Sequence, residues 1–236
     1  MKVSLTPERA GAIKEAAKRL PEKLNPTIRE PAEVIAKFVA AFQGCLYGPL
    51  HYRQLENDKI SALKSQGDYD APVTLSNLAL QDLHWWIQNI QNAKNPISLP
   101  NPTVILESDA SNMGWGAVYQ TKSTRGRWRD NEQILHINAL EMKGPFFALQ
   151  TFCQDQRDQH VRVMLDNTNA VTYINNMGGS HSVICNSLAN KIWFWCIDRN
   201  LWISPAYWPG SSNVAAQKAS RVFCDQTIWK LDETIF

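Results

Sequence analysis

Three acidic residues lie at positions where a carboxylate could take part in a reaction. Asp109 ends the apolar segment TVILESD, and Asp166 ends the apolar segment VRVMLD. Strand ends are where α/β folds expose functional groups to a crevice. Glu141 lies in ALEMKGPFFALQTFC, which we predict to be helical, and Ala148 and Phe152 follow on the same helical stripe. Because that stripe is apolar, we expect the Glu141 side chain to point inward.

The residue types favour a metal-dependent reaction. A lone carboxylate facing a core is costly, whereas three that converge are tolerable if a divalent cation neutralises them. Oxygen ligands without nearby His or Cys suit Mg²⁺ or Mn²⁺ rather than zinc. Two ions held by bridging carboxylates stabilise both the attacking water and the leaving oxygen of a phosphodiester. The acids therefore predict two Mg²⁺ (or Mn²⁺) ions and phosphodiester hydrolysis.

Taken singly, each acid has a plainer explanation. A lone aspartate at a strand end is most often a helix cap or a turn former, and Asp166-Asn167-Thr168 fits that description. Only the combination of the three acids, in this order and on these elements, favours catalysis.

The surrounding segments must position these acids. Residues 5–66 read as three helices, and residues 67–100 as a connector in which Ser76 caps one helix before the linker NAKNPISLPNP. From Thr103 onward, strands alternate with helices. The predicted strands are TVILESD, GWGAVYQ, GRWRD, VRVMLDN and WISPAYW, with TKSTR as the turn before GRWRD. We predict an α/β fold with a mixed five-stranded sheet and flanking helices, preceded by a small helical region.

Composition restricts the function classes. The chain has 236 residues, is 44% hydrophobic and carries a net charge of +2. No apolar run is long enough for a membrane span, and the N-terminus lacks a signal-peptide core, so we expect an intracellular protein of the cytoplasm or nucleus. The five cysteines show no metal-ligand spacing and are predicted to be buried reduced thiols.

Four segments together resemble a known family. LESDASNMGWGAV, HINALEMKGPFFAL, VMLDNTNAVTYINNMGG and PGSSNVAAQKASR are similar to the ribonuclease H domain of retroelement reverse transcriptases, most of all the DIRS-type group that bears a tyrosine recombinase. The resemblance implies a ribonuclease H-like fold over residues 101–222. It further implies a thumb- or connection-like helical region at 1–66, a connector at 67–100 and a C-terminal tail at 223–236.

The family's acids fall on Asp109, Glu141 and Asp166, but its fourth acid falls on Gln217. An amide is a weaker ligand than a carboxylate, so the resemblance implies a catalytic set of four with one attenuated member. Pro145 is a second departure. It breaks a hydrogen bond if the helix has begun by Ala139, and it is harmless if the helix begins later.

Several polar residues are candidates for contacts with nucleic acid. Asn112, Asn167 and Asn169 lie beside the acids and are suited to bind sugar hydroxyls, or else they are turn and cap residues. Arg127 and Arg129 flank Trp128 in a basic hairpin that suits contact with a phosphate backbone, or that protects a sheet edge from pairing.

The resemblance implies endonucleolytic hydrolysis of RNA in an RNA–DNA hybrid. The partners would be that hybrid and the polymerase part of the same polyprotein, with no membrane. The chain has no Y-x-D-D motif, so we do not expect it to polymerise DNA by itself. The alternative is an inactive remnant that binds nucleic acid or supports a polymerase. An integrase or transposase of the same fold is disfavoured, because the motifs match ribonuclease H.

Overall fold

The structure is a computed structural model that describes residues 1–179 and 181–223. By its contacts the chain divides into two compact units. The first unit holds Met1–Asn101 and Tyr173–Trp193, and the second holds Pro102–Thr172 and the chain from Phe194 onward. The domain limits given above stay a prediction. All of the predicted tail except Phe223 lies outside the described residues, and this part includes Cys224.

The N-terminal part of the first unit is mainly helical. Its elements are β1 (Lys2–Val3), α1 (Pro7–Glu22), α2 (Arg29–Ala41), α3 (Arg53–Gln66), α4 (Asn77–Asn89) and β2 (Asn95–Pro96). The Thr6 side chain caps α1 by accepting a hydrogen bond from the backbone N–H of Arg9 at 3.3 Å. Ser76 caps α4 as predicted, accepting from the Ala79 N–H. The segment predicted as a linker contains β2, which pairs antiparallel with β1.

An aromatic stack lies in the core of this unit. The Phe38 ring of α2 and the Trp86 ring of α4 are stacked with centroids 4.3 Å apart, and both residues are fully buried. Offset aromatic pairs add about 0.5–1.5 kcal/mol beyond the area that they bury. Trp86 therefore packs in the core and offers no exposed surface on which bases could stack.

The rest of the chain alternates strands and helices. The elements are β3 (Val104–Ala110), β4 (Gly114–Tyr119), β5 (Lys122–Arg127), α5 (Asp130–Gln133), α6 (Ile137–Phe152), β6 (His160–Leu165), α7 (Thr168–Asn175), α8 (Val183–Ile197), β7 (Trp202–Tyr207) and α9 (Val214–Arg221). The division between the two units passes through α7 and α8.

The second unit contains one mixed sheet of five strands in the order β5-β4-β3-β6-β7. The pairs β5–β4 and β4–β3 are antiparallel, whereas β3–β6 and β6–β7 are parallel. The predicted α/β fold, with a mixed five-stranded sheet and flanking helices, is confirmed by this order and these directions. The two parallel strands at its centre, β3 and β6, are those that end near Asp109 and Asp166.

Two local predictions were wrong. The segment TKSTR is not a turn, because Lys122–Arg127 forms β5 and the actual turn is the pair Gln120-Thr121 between the paired residues Tyr119 and Lys122. Gln120 adopts φ 55°, which closes the hairpin in two residues. Strand β5 therefore begins at Lys122, earlier in the sequence than predicted. The prediction also lacked a helix at Val214–Arg221, which forms α9.

The expectation of buried reduced cysteines is met within the described residues. Cys45, Cys153, Cys185 and Cys196 are buried free thiols, and burial raises the pKa of Cys45 and Cys153 to about 11. In the described part of the chain, no helix combines the length and the apolar character that crossing a bilayer requires.

Candidate metal centre

The structure brings the three predicted acids together. One carboxylate oxygen from each of Asp109, Glu141 and Asp166 lies within 4.8 Å of the other two. The register explains the convergence of the aspartates. Glu107 of β3 pairs with Met164 of β6. Asp109 and Asp166 each follow two residues later, so they lie next to each other at the same edge of the sheet.

Helix α6 carries Glu141 to the two aspartates. Its first residue is Ile137, after the His136 ring accepts a hydrogen bond from the Asn138 N–H, so Glu141 lies about one turn inside. A Cβ atom on Gly144 would lie 3.1 Å from Ser108 Oγ, so the absence of a side chain lets α6 approach β3 closely. The backbone N–H of Ala110 donates to the Glu141 carboxylate. These contacts bring Glu141 to the end of β3.

Pro145 lies in the interior of α6, which settles the alternative left open by the sequence. Since the helix begins at Ile137, the proline removes the N–H that would have bonded the carbonyl of Glu141. A proline in a helix interior costs about 3 kcal/mol. Glu141 is thus followed by a local defect in its own helix.

Helix α9 contacts both aspartates. Gln217 Nε2 donates to Asp166 Oδ2 at 3.1 Å, and Ser220 Oγ donates to Asp109 Oδ2 at 2.5 Å. Residues three apart on a helix share a face, so one turn of α9 serves both acids. A Cβ atom on Gly116 of β4 would lie 2.5 Å from the Ala219 Cβ, so α9 packs directly on the sheet.

Both ends of α9 are also tied to the segment around Asp109. The Asn213 side chain, which is fully buried, donates from Nδ2 to the Ser108 carbonyl at 3.0 Å. At the other end, Ser111 Oγ donates to the Ser220 carbonyl at 2.7 Å. Hydrogen bonds on either side of Asp109 therefore fix the position of α9 against β3.

Burial and mutual repulsion disfavour the charged forms of these acids. Burial, followed by the charges of Asp109 and Asp166, raises the pKa of Glu141 to about 8. The pKa of Asp109 is also raised, first by burial and then by Asp166, while the Ser220 hydrogen bond opposes the rise. Arg221 lowers both pKa values.

A divalent cation fits this residue set. The three groups are hard oxygen donors, two of them are buried, and their crowding penalises negative charge unless a cation compensates it. Among the described residues they form the one group of three or more His, Cys, Asp or Glu side chains whose ligand atoms are close enough to share an ion.

The predicted asparagines fall into two groups. Asn112 and Asn169 are exposed beside Asp109 and Asp166 in the sequence. Asn167 accepts a hydrogen bond from the Ala170 N–H at 2.9 Å, and its Nδ2 lies 3.4 Å from Asn138 Oδ1. Asn167 therefore caps α7 with its side-chain oxygen, and its side-chain nitrogen is directed to Asn138 of α6.

The two arginines lie elsewhere on the sheet. Arg127 ends β5, Arg129 caps α5, and β4 separates β5 from the strand that carries Asp109. The Arg127 guanidinium lies over the ring of Phe223 at 4.6 Å. Trp128 is 3% exposed and donates from Nε1 to the Ser111 carbonyl at 2.6 Å. It packs in the core and does not form an exposed aromatic surface between the cations.

Sequence reasoning missed Ser220 and Asn213, although both lie in the segment PGSSNVAAQKASR that carries the resemblance. One signal was available: a helix through this segment places Gln217 and Ser220 on one face. That signal required the helix itself, which was not predicted because it is only eight residues long and its buried residues, Ala216, Ala219 and Ser220, are small.

Comparisons with known proteins give distant likenesses. No protein-family model and no curated protein matches the chain. Among solved structures it is similar to LC11-RNase H1 in complex with an RNA/DNA hybrid, at 17% identity and TM-score 0.43, covering 50% of this chain and 93% of that one. RNase H1 from Halobacterium salinarum NRC-1 gives 10% identity, TM-score 0.41 and coverage of 49% and 92%. The foamy viral protease-reverse transcriptase in complex with dsDNA gives 12% identity and TM-score 0.32, covering 82% of this chain and 41% of that one. At these values the fold assignment rests on the sheet order and register described above.

Proposed function

We propose that the chain is a ribonuclease H-like domain of a retroelement reverse transcriptase of the DIRS type. Its reaction is metal-dependent endonucleolytic hydrolysis of the RNA strand of an RNA–DNA hybrid. The observation that carries the proposal is the convergence of one oxygen each from Asp109, Glu141 and Asp166 within 4.8 Å at the carboxyl end of two parallel strands. Carboxylates collected from three elements in this way are suited to phosphodiester hydrolysis.

Each acid has a distinct part in this proposal. Asp109 and Asp166 hold divalent cations, two Mg²⁺ or Mn²⁺ ions in the complete site. Glu141 binds metal and orients the attacking water. When bound, the cations supply positive charge that stabilises both the attacking and the leaving oxygen. The Ala110 N–H and the Ser220 hydroxyl fix the carboxylates of Glu141 and Asp109 before the substrate arrives.

The substrate is recognised by polar residues around the acids. Asn112 and Asn169, which are exposed, are suited to contact sugar hydroxyls in the minor groove, and Asn167 supports the same edge. Arg127 and Arg129 are suited to contact phosphates further along the duplex. The polymerase part of the same polyprotein is the proposed protein partner.

Substrate selectivity tests the proposal. The whole chain is incubated with Mg²⁺ or with Mn²⁺ and one of three labelled duplexes: RNA–DNA hybrid, double-stranded DNA or double-stranded RNA. We expect internal cuts in the RNA of the hybrid alone, with Mn²⁺ more effective than Mg²⁺ because of Gln217. Vigorous cleavage in Mg²⁺ would contradict the attenuation, and equal cleavage of all three duplexes would contradict the substrate assignment.

A second candidate function is an inactive module that binds nucleic acid or supports a polymerase. Gln217 at the fourth acid position and Pro145 inside α6 favour it. Binding and cleavage separate the two candidates, because the inactive module binds the hybrid without cutting it in either metal. Cleavage that depends on the three acids excludes this second candidate.

A further inference from the structure

The side-chain amide of Gln217 contacts Asp166, one of the three proposed metal ligands. Its nitrogen is 3.1 Å from Asp166 Oδ2. Only the nitrogen can make this contact favourably, because an amide oxygen and a carboxylate oxygen at this distance would repel each other. The group presented to Asp166 is therefore a neutral donor, and donors cannot bind a cation.

The surrounding backbone leaves this amide little room. A Cβ atom on Gly210 would lie 2.4 Å from Gln217 Nε2 and 3.0 Å from Asp166 Oδ2. The loop after β7 thus lies against the same two groups. A cation held by Asp166 on this side would have to displace the amide N–H.

The other end of the carboxylate cluster is different. Ser220 is fully buried, and its hydroxyl donates to Asp109 Oδ2. This bond holds Asp109 at the cluster in which one oxygen each of Asp109, Glu141 and Asp166 lies within 4.8 Å of the other two. The cluster of three acids is thus preorganised, whereas the position between Asp166 and α9 is closed.

We propose that, in the absence of substrate, this site binds one divalent ion, held by Asp109, Glu141 and Asp166, because Gln217 presents a neutral amide N–H to Asp166 where a second ion would need a further negative ligand. The inference rests on the proposed function and makes it more specific.

Counting bound ions tests this inference without any cleavage assay. The whole chain is titrated with Mn²⁺ by calorimetry, and free Mn²⁺ is measured in parallel by electron paramagnetic resonance. The test variant is Gln217→Glu, which keeps the length of the side chain and replaces the donor with a carboxylate. The matched control is Gln154→Glu, which adds the same charge at an exposed position of the second unit.

We expect one Mn²⁺ per chain for the unchanged protein and for Gln154→Glu, and two for Gln217→Glu. Two ions in the unchanged protein, or one in a folded Gln217→Glu, would overturn the inference. If Gln217→Glu does not give the unchanged circular dichroism spectrum, Gln217→Asp takes its place and the count in the unchanged protein is decisive by itself. No ion in the unchanged protein would contradict the metal centre itself, which is a separate failure.

Discussion

Ser220 of α9 donates a hydrogen bond of 2.5 Å to Oδ2 of Asp109 on β3, although 111 positions separate the two residues in the sequence. Both are buried, so the bond forms in a medium of low dielectric. It lowers the pKa of an acid whose pKa burial raises, and it fixes one of the two aspartates that we propose as ligands. Ser220 is therefore a positioning residue for the metal centre.

Replacing Ser220 with alanine should weaken metal binding. A hydrogen bond to a charged group contributes about 1.5–3 kcal/mol, which corresponds to a loss of roughly tenfold or more in affinity. The loss should grow as the pH falls, since Asp109 without its donor is protonated more readily. Calorimetry with Mn²⁺ at two pH values measures this, with the exposed Ser123→Ala as control. An unchanged affinity at both pH values would show that the contact does not position Asp109.

The metal-free protein should lose stability as the pH rises. Glu141 has an ordinary pKa of 4.5 and a pKa of about 8 in the folded chain. Its contribution is fully present below pH 4.5 and is lost as the pH rises through about 8, because the unfolded chain gives up the proton first. Thermal unfolding in EDTA should show a smaller fall across this range for Glu141→Gln than for the unchanged protein.

The control for this measurement is Glu22→Gln, a change at an exposed acid of α1, which should keep the slope of the unchanged protein. Asp82 also has a raised pKa, to about 7, so only the difference between Glu141→Gln and the unchanged protein reports on the metal centre. Adding Mn²⁺ should restore stability at high pH. If the thermal stability of Glu141→Gln and of Glu22→Gln falls equally with pH, the pKa of Glu141 is not raised by burial and by the neighbouring acids.

Gly116 should tolerate no side chain. An added Cβ atom would lie 2.5 Å from the Ala216 carbonyl oxygen and 2.6 Å from the Ser220 nitrogen, so Gly116→Ala must displace α9. Overpacking of this kind costs about 1–3 kcal/mol, and here it should also weaken Mn²⁺ binding. Gly11→Ala is the matched control, because nothing lies within 4 Å of its Cβ position in α1. That change should stabilise the chain by about 0.5–1 kcal/mol. Equal effects of the two changes on unfolding would argue against close packing of α9.

Gln217→Asp should increase hybrid cleavage. The added carboxylate supplies the charge that the amide lacks beside Asp166, so the rate in Mg²⁺ should rise toward the rate in Mn²⁺. Initial cleavage rates in the two metals measure this, with Gln154→Asp as the control. A fall in rate, with metal binding intact, would mean that position 217 does not correspond to the family's fourth acid.

The sequence predicted the parts of the site that depend on local pattern. Asp109 and Asp166 follow apolar segments, and the parallel pairing of those strands then places them side by side. Glu141 was predicted to point inward from the apolar stripe of its helix, and it is 7% exposed. These features depend on short-range periodicity, which one sequence displays.

The parts that depend on contacts across the sheet were not predicted. The hairpin between β4 and β5 was misplaced, because the positive φ of Gln120 has no strong sequence signal in a residue other than glycine or asparagine. Trp128 was read as a possible surface residue, yet it is buried against the turn after β3. The helix α9 is short and rich in small residues, and its stability comes from packing on Gly116 rather than from its own pattern.

The central claim is that the three converging carboxylates form a nuclease centre. The most direct test compares initial rates of RNA cleavage in an RNA–DNA hybrid, with Mn²⁺, for the unchanged chain, for Asp109→Asn and for Asp155→Asn, which alters an exposed acid of the same unit. We expect cleavage by the unchanged chain and by Asp155→Asn, and a loss of at least about a hundredfold for Asp109→Asn, as when a group that stabilises transition-state charge is removed. Cleavage by Asp109→Asn at the rate of the unchanged chain, or no cleavage by any of the three, would contradict the claim.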